Sequence, residues 1–91
     1  MPSNAAAVAE RQPAATVFFS VHARAEPGVM PRVLELFAKR GLVPLRWNSA
    51  AAAPGLSLAI DIEVGGLDRD AADYVARCMR QIAGVDLVLT A

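Results

Sequence analysis

Cysteine is almost absent from this sequence, and neither sign of charge is in excess. The single Cys78 cannot form an internal disulfide or complete a metal-binding or redox pair, so nothing requires an oxidising compartment. Nine Lys and Arg balance nine Asp and Glu, so the chain lacks the positive excess that nucleic acid and anionic membranes select. No apolar run approaches the roughly 20 residues of a membrane-spanning helix. We therefore expect a cytoplasmic protein that binds no nucleic acid and no membrane.

Side chains that could form a catalytic centre are also scarce. Ser20 and His22 share one face of a predicted strand, but such neighbours stand roughly 7 Å apart, and no acid is placed to orient the imidazole. Asp61 and Glu63 are typical of solvated strand residues. Cys78 falls on the apolar side of a predicted helix, where a thiol behaves as a small hydrophobe. These observations predict a non-catalytic chain that holds no metal and no cofactor.

The length of 91 residues allows one domain rather than two. Hydrophobic residues make up 55% of the chain and 19 of them are Ala, which leaves enough larger side chains for a small two-layer domain. Residues 1–15 show neither a strand period nor helix caps, so we expect a flexible N-terminal tail before one folded domain over residues 16–91. The tail also lacks the charged start and apolar run of a secretory signal.

The first half of the domain predicts a strand, a helix and a second strand. Residues 16–23 alternate between two faces, as a strand does. After a Pro-Gly turn, apolar residues recur every three or four positions up to Gly41, which is typical of an amphipathic helix. Residues 43–49 alternate again, and Pro44 within them predicts a strand at the edge of a sheet. Residues 50–55 are expected to form a loop.

The second half repeats the pattern in the order strand, helix, strand. Residues 56–64 alternate most cleanly, with one face buried and the other wet. Asp68 can cap a second helix that ends before Gly84. A short last strand is expected to bury Val85, Leu87 and Leu89. The order βαββαβ predicts an α+β, ferredoxin-like sandwich, a four-stranded antiparallel sheet with two helices on one face.

The turn from Ala25 to Gly28 leads the chain into the first helix. Helix starts leave backbone N–H groups without partners, so those of Gly28, Val29 and Met30 could bind a carboxylate or another anion. A tight turn that only reverses the chain direction explains the same Pro-Gly sequence. The residues alone leave both interpretations open.

Three segments together resemble an ACT domain, the amino-acid-sensing regulatory module: RAEPGVMPRVLELFAKRG (24–41), LSLAIDIEV (56–64) and CMRQIAGVDLVL (78–89). The resemblance covers nearly the whole folded part. It is greatest to the short, single-domain form of the regulatory small subunit of acetolactate synthase. The residues that carry it are Pro27, Gly28, Arg32, Val33, Leu36, Phe37, Arg40 and Gly41 in the first helix, and Met79, Ile82, Val85 and Val88 in the last segment.

This resemblance implies a non-catalytic homodimer that binds a branched-chain amino acid at the dimer interface. It also implies a separate catalytic large subunit, which the dimer tunes and which would hold thiamine diphosphate, magnesium and flavin. The implied ligand-binding residues are Glu26, Gly28, Val29, Met30 and Val43. Where the family often has Asp or Asn, this chain has Ala25 and Val43, which predicts weak or absent binding of valine, leucine and isoleucine.

A free-standing ACT sensor without such an enzyme partner is the alternative function. The exposed edge strand and Trp47 predict a homodimer in either case. Residues 24–46 carry five positive and two negative charges, whereas residues 61–73 carry five negative and one positive. Complementary patches of this kind could orient a partner chain, although both are also explained as ordinary solvated faces.

Overall fold

The computed structural model describes residues 16–53 and 56–91, so the expected tail of residues 1–15 lies outside the described residues. The elements follow in the predicted order βαββαβ. They are β1 (Val17–Ala23), α1 (Val29–Lys39), β2 (Arg46–Ala52), β3 (Ser57–Val64), α2 (Arg69–Arg80) and β4 (Val85–Thr90). Neither helix of these ranges is long and apolar enough to cross a membrane.

The four strands form one antiparallel sheet in the order β2-β3-β1-β4. Since β1 and β2 both run antiparallel to β3, they point in the same direction, and β2 and β4 are the edges. In the central pair, Phe19 lies opposite Ile62 and Val21 lies opposite Ile60. The predicted ferredoxin-like sandwich is confirmed.

The core lies between the two helices and one face of the sheet. The alternating apolar residues of β1 and β3 point into it, from Phe19 to Ala23 and from Leu58 to Val64. From α1, Phe37 packs against Phe19 with ring centroids 6.2 Å apart. The carboxylate of Asp68 caps α2 as predicted, since Oδ1 accepts a 2.8 Å hydrogen bond from the Ala71 N–H.

The second strand differs from its prediction at both ends. It begins at Arg46, so Val43 and Pro44 precede it, and residues 50–52 extend the strand instead of forming a loop. Pairing with β3 explains the extension, because Ala50 lies opposite Ala59. Its predicted position at the edge of the sheet is confirmed.

The last strand buries the opposite face from the one that its sequence suggested. Leu87 and Leu89 are exposed, while Val88 between them is buried. Val85 lies opposite Ala23, but Leu87 lies opposite His22, so β4 carries one extra residue at this point. This β-bulge reverses the alternation after Val85.

Candidate ligand-binding site

The turn between β1 and α1 is held by its own backbone. The Glu26 N–H donates to the Arg24 carbonyl over 2.8 Å, and the Val29 N–H donates to the Glu26 carbonyl over 3.1 Å. Val29 also has a fully buried side chain. Its N–H is therefore engaged in the turn and is not a free donor for a ligand.

The N–H groups of Gly28 and Met30 have no hydrogen-bond acceptor in the part of the chain that the structure describes. Gly28 is the N-cap of α1 and provides no side chain to satisfy the helix start. The guanidinium of Arg32 lies beside this glycine, since a Cβ placed there would be 3.0 Å from Nη1. Free N–H groups, the helix dipole and a guanidinium together favour a bound carboxylate.

Glu26 adds a negative charge next to this positive helix end. Its Oε2 lies 3.8 Å from Nη1 of Arg24, and both side chains are exposed, so this ion pair contributes little to stability. Its Oε1 lies beside Gly84, in the loop between α2 and β4. The same loop accepts a 2.8 Å hydrogen bond from the Arg24 N–H at the Gly84 carbonyl. A ligand's ammonium group could therefore reach a carboxylate here.

Val43 lies far from these residues in a single copy of the chain. It follows the C-terminal end of α1 and is 79% exposed, whereas Gly28 lies at the N-terminal end. An 11-residue helix spans roughly 16 Å. The structure thus brings Glu26, Gly28 and Met30 together and leaves Val43 at the other end of the helix.

Arg32 was missed as a site residue in the sequence, although its signal was present. It lies four positions after Gly28, and residues at this spacing share one face of a helix. Gly84 was also missed as a neighbour of the turn, because only the pairing of β1 with β4 brings that loop to the site.

The described residues contain no group of three His, Cys, Asp or Glu that could hold a metal ion. Ser20 donates its hydroxyl to Oδ1 of Asp61 over 3.2 Å, and within residues 16–53 and 56–91 it makes no hydrogen bond with His22. Cys78 accepts a hydrogen bond from Nη2 of Arg40 over 3.4 Å. These polar contacts do not form a nucleophile with a base.

The ACT-like domain family matches residues 10–90. The chain is similar in fold to the ACT domain of GTP pyrophosphokinase from Chlorobium tepidum, with a TM-score of 0.73, 10% identity, and coverage of 85% of this chain and 97% of that chain. It is similar to the C-terminal domain of the MgtC protein from Mycobacterium tuberculosis, with a TM-score of 0.65, 12% identity and coverage of 84% of each chain.

A formyltetrahydrofolate deformylase from Pseudomonas putida has a similar part, with a TM-score of 0.64 and 11% identity over 84% of this chain and 28% of that chain. None of the curated proteins matches the sequence. At these identities the solved structures show the fold alone. The family match spans nearly the whole chain, and the chain therefore belongs to the ACT-like domain family, whose members are regulatory ligand-binding modules that are generally non-catalytic.

Proposed function

We propose that the chain is a regulatory subunit that binds an amino-acid-like ligand as a homodimer and tunes a separate catalytic chain of the acetolactate synthase type. One observation carries the ligand part of this proposal. The Arg32 guanidinium and the free N–H groups of Gly28 and Met30 converge at the start of α1, within reach of the Glu26 carboxylate. The helix end and Arg32 suit the carboxylate of a zwitterion, and Glu26 in the same turn is the acidic group nearest in sequence for its ammonium group.

The homodimer is supported by the difference between the two edges of the sheet. On β4, the Val88 carbonyl accepts a 2.8 Å hydrogen bond from Nη2 of Arg80, which covers part of that edge. No such cover protects β2 within residues 16–53 and 56–91. An uncovered edge strand is a template for pairing with another chain.

An antiparallel pairing of β2 with β2 of a second copy would complete the ligand site. Because β1 and β2 run in the same direction, the reversed β2 of the second copy carries its Val43 to the end of the sheet where Gly28 lies. A symmetric pairing over Arg46–Ala52 puts Ser49 opposite Ser49 of the second copy. In such a dimer Val43 would lie beside the ligand bound at Gly28.

The catalytic partner rests on the resemblance in α1 and in the last segment, and on the charges of the chain. Residues 24–46 are positive in balance and residues 61–73 are negative, which suits an oriented contact with a second protein. The catalytic chain would hold the thiamine diphosphate. A free-standing sensor with the same dimer and no enzyme partner is the alternative, and the cytoplasmic location stays a prediction.

The test combines molecular mass with a crosslink and a native purification. Sedimentation of the full chain should give a mass of at least twice 9.6 kDa, and Ser49→Cys in a Cys78→Ser background should form a disulfide-linked dimer. A thiamine-dependent enzyme that co-purifies from native lysate supports the regulatory subunit. A homodimer without it supports the free-standing sensor. A chain that stays monomeric overturns both functions.

A further inference from the structure

Three large apolar side chains stand on the face of the sheet that no described helix covers. Phe18 is 50% exposed, Leu87 47% and Leu89 53%. They form a ridge over β1 and β4, because Leu89 lies opposite Ser20 and Leu87 lies opposite His22. Adjacent apolar side chains left in water on one surface mark an interaction site.

The other half of the same face is low at one end. There β2 and β3 carry the small residues Ala50, Ala52, Ser57 and Ala59, which form a shelf beside Leu87. At their other end the same two strands carry Arg46, Asn48, Asp61 and Glu63 on this face.

Two charged groups of this face are paired with each other, and a third accepts a hydrogen bond from a hydroxyl. Nε of Arg46 lies 3.4 Å from Oε2 of Glu63, and Asp61 accepts a 3.2 Å hydrogen bond from Ser20. These pairs flank a groove of about 440 Å³ beside Phe18. The groove offers a space for an apolar side chain between these two polar pairs.

We propose that this open face is an interface with a second copy of the same chain, packed sheet on sheet about a two-fold axis parallel to the strands. Leu87 of each copy then lies on the shelf of the other copy, and its Phe18 and Leu89 lie over Glu63 and Asn48 of the other copy. This interface is additional to the pairing of β2 edges in the proposed function and does not depend on it.

The strand register fixes which residues meet. Leu87, His22, Ala59 and Ala50 form one row across the sheet. The two-fold axis places β4 of one copy over β2 of the other and keeps every row at the same position along the strand direction. Leu87 of one copy therefore covers Ala50 of the other. Packed sheets keep their strands within about 30° of each other, which preserves these neighbours.

The row that contains Phe18 and the row that contains Ser20 also bring dissimilar side chains together across the interface. Phe18, Glu63 and Arg46 share a row, so the Phe18 ring of one copy enters the groove beside Glu63 of the other. In the middle row Ser20 covers Asp61, and the carboxylate meets a hydroxyl rather than another carboxylate. No like charges are placed opposite one another.

A two-fold axis across the strands would fit worse. It lays β4 on β4 and β2 on β2, so that Leu87 and Leu89 meet the same ridge of the second copy. The alanines of the two shelves would then face each other across a gap. Gaps forfeit dispersion contacts, and the axis parallel to the strands is therefore favoured.

The contact area is sufficient for a specific but modest association. Four strands about 4.8 Å apart, each about seven residues long, give a face of roughly 19 by 24 Å. Two such faces amount to about 900 Å², close to the roughly 1,000 Å² at which specific interfaces begin.

Engineered cysteines test the arrangement in the full chain with Cys78→Ser. Leu87→Cys with Ala50→Cys should give a covalent dimer in high yield. Within one copy these positions are three strands, or about 14 Å, apart, beyond the roughly 7 Å limit of a disulfide. Leu87→Cys with Leu89→Cys is the control. A dimer from the control pair and none from the first pair would overturn the proposed axis.

Sedimentation separates this interface from the β2 edge. Phe18→Asp should lower the mass of the assembly by half, whereas Leu34→Asp, at a comparably exposed leucine of α1, should leave it unchanged. The same halving by Phe18→Asp is expected in a Ser49→Lys background, where the edge pairing is lost. If only Ser49→Lys changes the mass, the sheet-on-sheet interface is wrong and the edge dimer of the proposed function stands.

Discussion

Leu87 of β4 lies directly opposite His22 of β1 on the open face of the sheet. Two residues earlier, Val85 lies opposite Ala23, so Asp86 has no partner of its own and the strand bulges there. The bulge moves Val88 into the core and places Leu87 in water. A single extra residue thus decides which side chains of β4 point into the core and which point into solvent, where a partner could contact them.

The first prediction compares the two faces of β4. Val88→Ala should lower the free energy of unfolding by about 2 to 3 kcal/mol, because it removes buried methyl groups and leaves a cavity. Leu87→Ala should cost less than about 1 kcal/mol in the monomer, as other exposed substitutions do. Urea denaturation at a concentration where the chain is monomeric measures both. The reverse ranking would contradict the bulge.

The bulge is a feature that strand pairing determines and that the local sequence does not predict. The alternation in β3 and the Asp68 cap depend on local residues, and both were predicted correctly. The alternation of Val85, Leu87 and Leu89 is as regular as that of β3, but pairing with β1 overrides it. Residues 50–52 carry no strand signal at all, and only their pairing with β3 makes them a strand.

A second prediction concerns Gly84, which links the loop before β4 to the candidate site. Its φ is +95°, and a Cβ there would lie 2.9 Å from Cγ2 of the buried Val29. Gly84→Ala should therefore cost about 2 to 4 kcal/mol, from the left-handed backbone and the overpacked core together. Thermal and urea unfolding measure this loss.

Gly41 provides the matched control for that substitution. Its φ is +69°, but no atom of residues 16–53 and 56–91 lies within 4 Å of a Cβ added there. Gly41→Ala should cost only the backbone term of about 1 to 2 kcal/mol. Equal losses at Gly41 and Gly84 would mean that Val29 moves away freely and that the turn is not packed as described.

A third prediction is that valine, leucine and isoleucine bind weakly or not at all. Ala25 and Val43 offer no polar group where the family often has one. Each missing hydrogen bond to a charged group is worth roughly 1.5 to 3 kcal/mol, so two of them weaken the dissociation constant at least about 100-fold. Calorimetric titration of the full chain should show no micromolar binding.

Restoring one of the missing groups turns this into a gain-of-binding test. Val43→Asn should strengthen the binding of one of the three amino acids, and Val43→Ala should not. A micromolar affinity of the unaltered chain would show that Arg32 and the N–H groups of Gly28 and Met30 suffice. A role of Val43 could not be derived from one copy of the chain, because it lies about one helix length from Gly28, and only the second copy of the proposed dimer would bring it back.

The last prediction separates the turn's structural role from its ligand role at Gly28. Its φ of −80° suits any residue, and the atoms nearest an added Cβ belong to the end of the flexible Arg32 side chain. Gly28→Asp should therefore fold, and the interaction of a carboxylate with the helix dipole should stabilise α1 by a few tenths to about 1 kcal/mol. Circular dichroism and urea unfolding check this.

The same carboxylate should abolish the binding of any anionic ligand, because it repels the anion and competes for the Arg32 guanidinium beside it. Gly28→Asn, which offers the same shape without the charge, distinguishes repulsion from crowding: it should reduce binding less than Gly28→Asp does. Calorimetry with amino acids and activation of a co-purified catalytic chain provide the readouts. If Gly28→Asp unfolds the chain, the turn is structural. If it folds and still activates the partner, the start of α1 is not the regulatory site, and the contact with the catalytic chain must be sought on another surface.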